Sequence, residues 1–228
     1  MFVVIVMLLF ITLVPHGAAF AQFPQSPNKL DEKGRQQGRW TLLFDKDMKP
    51  VAHPDSAAFY SVLTFVNGTV DGVATTYFRG GGKMSEVTYK KGRIEGTSRG
   101  WYESGAREFE TPHTNGLPHG KETIWYPDGK KRSEALYRNG KEHGSQVEWY
   151  QNGNKKSEIP FKDGVIHGTA RRWFASGQIQ TEIPHSNGRV HGTRIDWYEN
   201  GKKKSEIRYS NGQRQGKARE WDEQGNPK

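Results

Sequence analysis

Cysteine is absent from this 228-residue chain, so a disulfide, a thiolate nucleophile and a Cys-ligated zinc site are all excluded. Hydrophobic residues are also scarce, at 33% of the chain, and the mean hydropathy is -0.88. Aromatic residues, in contrast, make up 12% of the chain, which disfavours disorder. We therefore expect aromatic side chains, rather than a deep aliphatic core, to supply most of the buried surface.

Recognisable catalytic motifs are few as well. The chain has no Gly-rich phosphate loop leading into a helix and no His-Glu-x-x-His. A segment at 45–55, DKDMKPVAHPD, contains Asp45, Asp47, His53 and Asp55, but without a recognisable ligand spacing. The sequence therefore predicts no catalytic residue, no metal site and no cofactor, and an enzyme with its site at 45–55 is only a minor alternative.

The N-terminus predicts export. Residues 1–14, MFVVIVMLLFITLV, form an apolar run, and Ala19, Phe20 and Ala21 give the small-x-small pattern of a cleavage site. We interpret residues 1–21 as a signal peptide that is cleaved before Gln22, because the run is shorter than the roughly 20 residues of a membrane span. No Lys or Arg precedes the run, so an uncleaved anchor is the alternative. The expected location is periplasmic or secreted.

A repeat of 24 residues fills the rest of the chain. Glycines recur at this spacing from Gly68 onward, with a second column four residues later and a third near the middle of each unit. The clearest members of the second column are Gly96, Gly120, Gly144, Gly168 and Gly192. A tryptophan column shares the period and consists of Trp101, Trp125, Trp149, Trp173, Trp197 and Trp221. Such self-similarity is typical of a repeat architecture.

Each unit is predicted to be a β-hairpin. One strand runs from the second glycine through the Trp-Tyr pair, a turn such as PDGK follows, and a second strand leads to an Asn-Gly turn. Adjacent Trp and Tyr should face opposite sides of the sheet. The fold class is therefore all-β, an elongated row of about eight stacked hairpins. We place a degenerate first repeat and an insertion at 22–66, and seven tandem repeats at 67–228.

The pattern NGxxHGxxxxWYxxGxxKSExxY resembles the MORN (membrane occupation and recognition nexus) repeat in its bacterial variant form, over nearly all of 34–226. The resemblance implies a curved row of hairpins with a scaffolding role, and association with anionic lipid in some members. Some bacterial variant-repeat proteins are labelled antitoxins, so an antitoxin or immunity role is an alternative function. The spacing of Tyr, Glu and Gly differs from the usual unit, so lipid binding does not transfer automatically.

The chain is basic, with a formal net charge of +9, and its basic residues cluster after the third glycine column. A surface of this kind attracts anionic partners. The candidate contact residues are Lys130, Lys131, Arg132, Lys155, Lys156, Lys202, Lys203 and Lys204. We expect them to line one edge of the sheet and to contact an anionic surface. The competing interpretation is that they protect strand edges from aggregation.

Two other columns of the repeat, one of histidine and one of glutamate, are candidates for a metal site and for acid catalysis, but simpler explanations are favoured for both. Four histidines (His119, His143, His167 and His191) precede the second glycine, but equivalent atoms about 10 Å apart could not share one zinc ion. A glutamate column that includes Glu110 and Glu158 is more simply explained by pairing with neighbouring Lys and Arg. The hairpin register leaves two sets of neighbours open for tryptophan, either Glu and Lys or Ile159, Ile183 and Ile207.

From these features we expect an exported, non-enzymatic scaffold that binds a protein partner and has anionic lipid or glycan as a possible second partner. Single-stranded nucleic acid, which also binds aromatic residues set among basic ones, is disfavoured by the export signal. A carbohydrate-binding module is a further alternative, since exposed aromatic ladders can stack on sugars.

Overall fold

A computed structural model describes residues 28–228, so the predicted signal peptide and residues 22–27 lie outside the described residues. The first strands are β1 (Lys29–Leu30), β2 (Gln36–Phe44), β3 (Phe59–Val66), β4 (Thr69–Val70), β5 (Gly72–Phe78), β6 (Lys83–Lys90), β7 (Arg93–Ile94), β8 (Gly96–Trp101), β9 (Arg107–Thr114), β10 (Leu117–Pro118) and β11 (Gly120–Trp125). The remaining strands are β12 (Lys131–Arg138), β13 (Lys141–Glu142), β14 (Gly144–Trp149), β15 (Lys155–Lys162), β16 (Val165–Ile166), β17 (Gly168–Trp173), β18 (Ile179–Ser186), β19 (Arg189–Val190), β20 (Gly192–Trp197), β21 (Lys203–Ser210) and β22 (Gln213–Glu220).

These 22 strands form one antiparallel sheet, which confirms the all-β prediction. The longer strands follow one another from β2 to β22 in chain order, each hydrogen-bonded to the next. A 3-10 turn at Pro54–Ser56 is the one helical element within residues 28–228. Across the same residues, no helix has the length and apolar character needed to cross a membrane.

Within each repeat the two long strands pair over five positions and then shift register at the tryptophan. In the repeat at 120–138, Gly120 pairs with Tyr137 and Ile124 pairs with Ser133, but Trp125 pairs with Lys131 and skips Arg132. The same irregularity occurs before Trp101, Trp149, Trp173 and Trp197. This β-bulge places Lys131, Lys155 and Lys203 opposite their tryptophans, so for these three repeats it decides the question that the sequence left open. Trp101 pairs with Arg107 and Trp173 pairs with Ile179.

The Asn-Gly turns lie where the sequence predicted them. Asn139 and Gly140 have φ of 51° and 78°, both in the left-handed region that a type I′ turn requires. The second glycine column also has positive φ, for example 112° at Gly120, and opens the first strand of each repeat. Adding a Cβ at Gly192 would bring it within 3.0 Å of Pro184 Cγ, so both conformation and space favour glycine there.

Strand alternation gives the sheet two distinct surfaces. We call the surface that carries the tryptophan column, with Lys131 and Glu134 beside Trp125, the tryptophan face. The opposite surface carries Ser133, Ala135 and Tyr137 and is the tyrosine face. Most of the buried residues in the repeats lie on the tyrosine face, among them Ser98, Thr111, Ala135, Ser157 and Thr181.

The first repeat contains the largest apolar core. On the tyrosine face, Trp40 packs with Leu63 and Phe65. On the other face the inserted segment between β2 and β3 folds back, and Ala57 packs with Tyr60. The sheet continues without a break from this repeat into the next, because β3 pairs with β5 from Phe59 to Val62.

Candidate functional site

On the tryptophan face, lysines that we predicted as anionic contacts are already paired. The Nζ atoms of Lys131, Lys155 and Lys203 lie 2.7, 2.8 and 2.5 Å from the carboxylates three residues later, at Glu134, Glu158 and Glu206. Lys155 also lies 5.6 Å from the ring centroid of Trp173, and Lys203 lies 5.4 Å from that of Trp221. Each of these two lysines therefore joins its own strand to the tryptophan of the next repeat.

The glutamate column is ion-paired, as expected. Arg99 Nε donates to Glu110 Oε1 at 2.9 Å across the paired strands, which confirms that this glutamate pairs with a neighbouring basic residue. The pKa of Glu158 is lowered, mainly by the hydrogen bond from Lys155 and against the effect of burial. Burial alone would raise the pKa of Glu134, but hydrogen bonds from Lys131 and Lys121 lower it overall. These shifts stabilise the carboxylate and are opposite to those of a general acid.

The other predicted basic residues occupy two further positions. Lys130 and Lys202 lie in turns, where their Nζ atoms donate to backbone oxygens of Gln151 at 3.0 Å and Gln224 at 2.5 Å. On the tyrosine face, Lys156 lies 3.4 Å from Glu148 and Lys204 lies 5.5 Å from the ring centroid of Tyr198. Arg132, on the same face, interacts with Tyr102. The eight residues therefore form three rows instead of the single edge that we expected.

Sequence reasoning missed the basic residues beside the turns of the first glycine column, which are Asn-Gly in most repeats, Lys-Gly at 91–92 and Asp-Gly at 163–164. They are exposed and make no ion pair within residues 28–228: Lys90, Arg93, Arg138, Lys141, Lys162 and Arg189. Lys90 pairs with Arg93 and Arg138 pairs with Lys141 across the turn. Comparing columns of the repeat, rather than runs of lysine, would have found them. We call these six residues the basic edge.

Three of the four predicted histidines contact the turn of the next repeat. The backbone amide of Asn139 donates to His119 Nδ1 at 3.4 Å, and that of Asn211 donates to His191 Nδ1 at 3.3 Å. His143 Nδ1 lies 3.9 Å from a carboxylate oxygen of Asp163. Across residues 28–228, no group of three or more His, Asp or Glu side chains is placed to hold a metal ion.

One stretch fits a hydrolase pattern by sequence but not by structure. Gly96–Gly100 reads GTSRG, the Gly-x-Ser-x-Gly pattern, which in hydrolases exposes serine at a strand-to-helix turn. Here Ser98 lies in the middle of β8 and is fully buried. His113 Nδ1 is 2.8 Å from the carbonyl of Thr111 and 3.4 Å from Ser98 Oγ. Because a carbonyl only accepts, Nδ1 carries the proton and does not act as a base toward Ser98.

A column of tyrosines next to the tryptophans links successive repeats. The hydroxyls of Tyr102, Tyr126, Tyr150 and Tyr198 donate to the tryptophan carbonyl of the following repeat, at 2.6, 2.8, 2.9 and 2.9 Å. Phe174 occupies this column without a hydroxyl, so the carbonyl of Trp197 receives no such bond. An open groove of about 830 Å³ lies here on the tyrosine face, lined in part by Phe174, Tyr198, Arg172 and Lys204.

Comparison with known proteins agrees with this geometry. The MORN repeat variant matches four tandem segments, at residues 118–139, 142–163, 166–187 and 190–211. No curated protein matches the chain. The four matches follow one another at the 24-residue period of the sheet and cover the hairpins from β10 to β21. The chain therefore carries tandem MORN variant repeats, which supports its assignment as a MORN-repeat protein.

Proposed function

We propose that the protein is an exported, non-enzymatic scaffold that binds a protein partner through the open faces of its sheet. The observation that carries this proposal is the sheet itself, which repeats the same side chains at fixed intervals on two accessible faces. Ion pairs and hydrogen bonds between repeats fix the spacing of these side chains. A surface of this kind suits recognition of an extended partner better than recognition of a small molecule.

The test is capture of the partner from the cells that make the protein. The exported chain should begin at Gln22 by intact mass, and it should retain a defined protein at stoichiometric amounts after salt washing. Recovery of a chain that begins at Met1 in a membrane fraction would show that residues 1–21 are an uncleaved anchor instead of a cleaved signal peptide. If the retained protein is a small toxic neighbour, the antitoxin alternative is correct, and retention of a polysaccharide alone would favour the carbohydrate-binding alternative.

Contact with an anionic envelope surface is a second candidate, and the basic edge favours it. Near a headgroup surface each Lys or Arg contributes about 1 kcal/mol, fading within a Debye length. Because the basic edge is not ion-paired within residues 28–228, it is better suited to this role than Lys131, Lys155 or Lys203.

Replacing Lys90, Arg138 and Lys162 with Gln should therefore weaken binding to vesicles that contain anionic lipid by on the order of a hundredfold. The matched control replaces Lys131, Lys155 and Lys203, which removes the same charge from the tryptophan face. Vesicle flotation measures both variants. Equal loss of binding in both variants would indicate a general effect of net charge. The basic edge would then not be a specific contact site for the anionic surface.

A further inference from the structure

The groove over Phe174 combines free positive charge with apolar side chains. Its floor is the part of the tyrosine face where Arg172 pairs with Thr181, Thr181 with Asp196, and Asp196 with Ser205. Phe174 and Tyr198 line the groove on the turn side of this row, and Ile183 and Ile207 line it on the other side. Arg172 and Lys204 are exposed, and neither has a carboxylate partner within the described residues.

The third cation of the groove is neutralised. Arg194 donates to Asp196 from Nε and from Nη2, at 3.0 and 2.9 Å. Asp196 also accepts from Thr181 at 2.9 Å and from Ser205 at 3.0 Å. The centre of the floor is therefore a closed polar network, and the free charge lies on either side of it.

The distance between the two free cations, Arg172 and Lys204, sets the distance between the two anionic groups that a ligand must carry. Arg172 lies on β17 and Lys204 on β21, with β18 and β20 between them. Three strand spacings of about 4.8 Å separate them by about 14 Å. An extended peptide advances about 3.3 Å per residue, so two carboxylates four residues apart match this distance. In that conformation the residue midway between them faces the same way, over the polar network, and an apolar side chain there can contact the Phe174 ring at the edge of that network.

We propose that this groove binds an extended acidic peptide segment of a partner protein, with two carboxylates at positions i and i+4 and an apolar residue at i+2. The carboxylate ends meet Arg172 and Lys204, and the apolar residue packs on Phe174. This deepens the proposed scaffold function and rests on it. The phenylalanine matters because a tyrosine there would direct its hydroxyl to the Trp197 carbonyl, as in the repeats that carry tyrosine.

Two other occupants fit less well. A sugar ring would stack on an open aromatic face, but one face of Tyr198 is already covered by Lys204. The first 28 residues of this chain contain no Asp or Glu, so its own N-terminal segment lacks the required charge. Glu199 and Glu223 line the rim at the turn side, which disfavours additional acidic residues on the ligand there.

The probe is a fluorescent peptide, Gly-Asp-Ser-Leu-Ser-Asp-Gly, titrated against the full exported chain by anisotropy. A second peptide, Gly-Asp-Ser-Leu-Asp-Ser-Gly, has the same composition and charge but the wrong spacing. We expect the first to bind and the second to bind about tenfold more weakly, because one carboxylate then misses its cation. Equal binding of the two peptides, or no binding of the first at about 1 mM, overturns the proposal.

Three variants locate the site. Arg172→Gln and Lys204→Gln should each lower the affinity for the first peptide about tenfold. Phe174→Tyr should also lower this affinity, without lowering the melting temperature of the protein. Lys90→Gln is the control, because it removes the same charge at the basic edge, and it should leave the affinity for the first peptide unchanged. If Arg172→Gln and Phe174→Tyr bind the first peptide as tightly as the unmodified chain does, the groove is not the binding site and the proposal is wrong.

Two further outcomes also overturn the proposal. Binding of oligogalacturonate in place of the peptide would assign the groove to an acidic glycan. Self-association that is lost in the same variants would assign it to a second copy of the chain. Failure of this proposal is distinguishable from failure of the scaffold function. If the Arg172→Gln, Lys204→Gln double variant still retains the native partner, the groove is not the binding site but the scaffold function stands. If the unmodified chain retains no partner, the scaffold function itself is wrong.

Discussion

Single residues at equivalent positions of the repeats are not interchangeable, and Gly100 shows why. The equivalent positions in later repeats hold Ile124, Glu148 and Asp196, which all have side chains. At Gly100 the ring of Phe109 on the paired strand occupies that space, and an added Cβ would lie 2.0 Å from Phe109 Cε1. The glycine and the phenylalanine therefore depend on each other.

Gly100→Ala should destabilise the protein by about 1–3 kcal/mol, because the Phe109 ring must move out of a packed position. Gly80→Ala is the matched control, since nothing lies within 4 Å of its added Cβ and its φ is not positive. Urea unfolding measures both. A Gly100→Ala variant as stable as the control would show that the ring is not held where the structure places it.

Asp196 gives a prediction about pH. Burial raises the pKa of its carboxyl, but hydrogen bonds from Arg194, Thr181 and Ser205 outweigh burial and lower the pKa overall. A carboxyl with a lowered pKa in the folded state stabilises the protein above its unfolded pKa of about 4 and loses this effect as pH falls through the folded pKa. Asp196→Asn should therefore cost about 2 kcal/mol at neutral pH, and this cost should shrink as the pH falls below about 4. A cost that does not change with pH would contradict the network.

At the scale of turns and strands, the sequence predicted most of the repeat but not its register. The glycine columns and the Asn-Gly pairs predicted the hairpins and the positions of their turns, because few other residues adopt positive φ. The neighbours of tryptophan could not be predicted, because the bulge that skips Arg132 changes the pairing by one residue. Nothing in the local composition distinguishes a strand with a bulge from a regular one.

The groove was not predictable for a related reason. Its two free cations, Arg172 and Lys204, come from different repeats and are conspicuous only when the carboxylates that neutralise the other lysines are known. The substitution of tyrosine by Phe174 is visible in the sequence, but its effect depends on the hydroxyl bond to the next repeat that the structure shows.

Lys91 tests the turn chemistry. It has φ of 50° at the position where five other repeats have asparagine, with Gly92 following. Asparagine is better tolerated in this conformation than lysine. Lys91→Asn should therefore stabilise the protein by about 0.5 kcal/mol, and the reciprocal change Asn115→Lys should destabilise it by a similar amount. Thermal melts of both variants provide the measurement, and shifts of the same sign would contradict a shared turn geometry.

At the scale of the whole molecule, the sheet is an open row whose two ends are partly covered. Within the described residues β2 and β22 do not pair with each other. The C-terminal tail folds back at Trp221 and Pro227, and the amide of Lys228 donates to the carbonyl of Glu220. At the other end β1 pairs with Gln36 and Gln37. These contacts shield part of each terminal strand from pairing with other chains.

The central claim is that one open sheet runs through residues 28–228, and small-angle X-ray scattering tests it most directly. The 15 longer strands, spaced about 4.8 Å apart, give a row on the order of 70 Å long before twist. The radius of gyration of the exported chain should therefore lie well above the roughly 17 Å of a compact domain of this length. A value near 17 Å with a compact distance distribution would contradict the open row and with it both accessible faces.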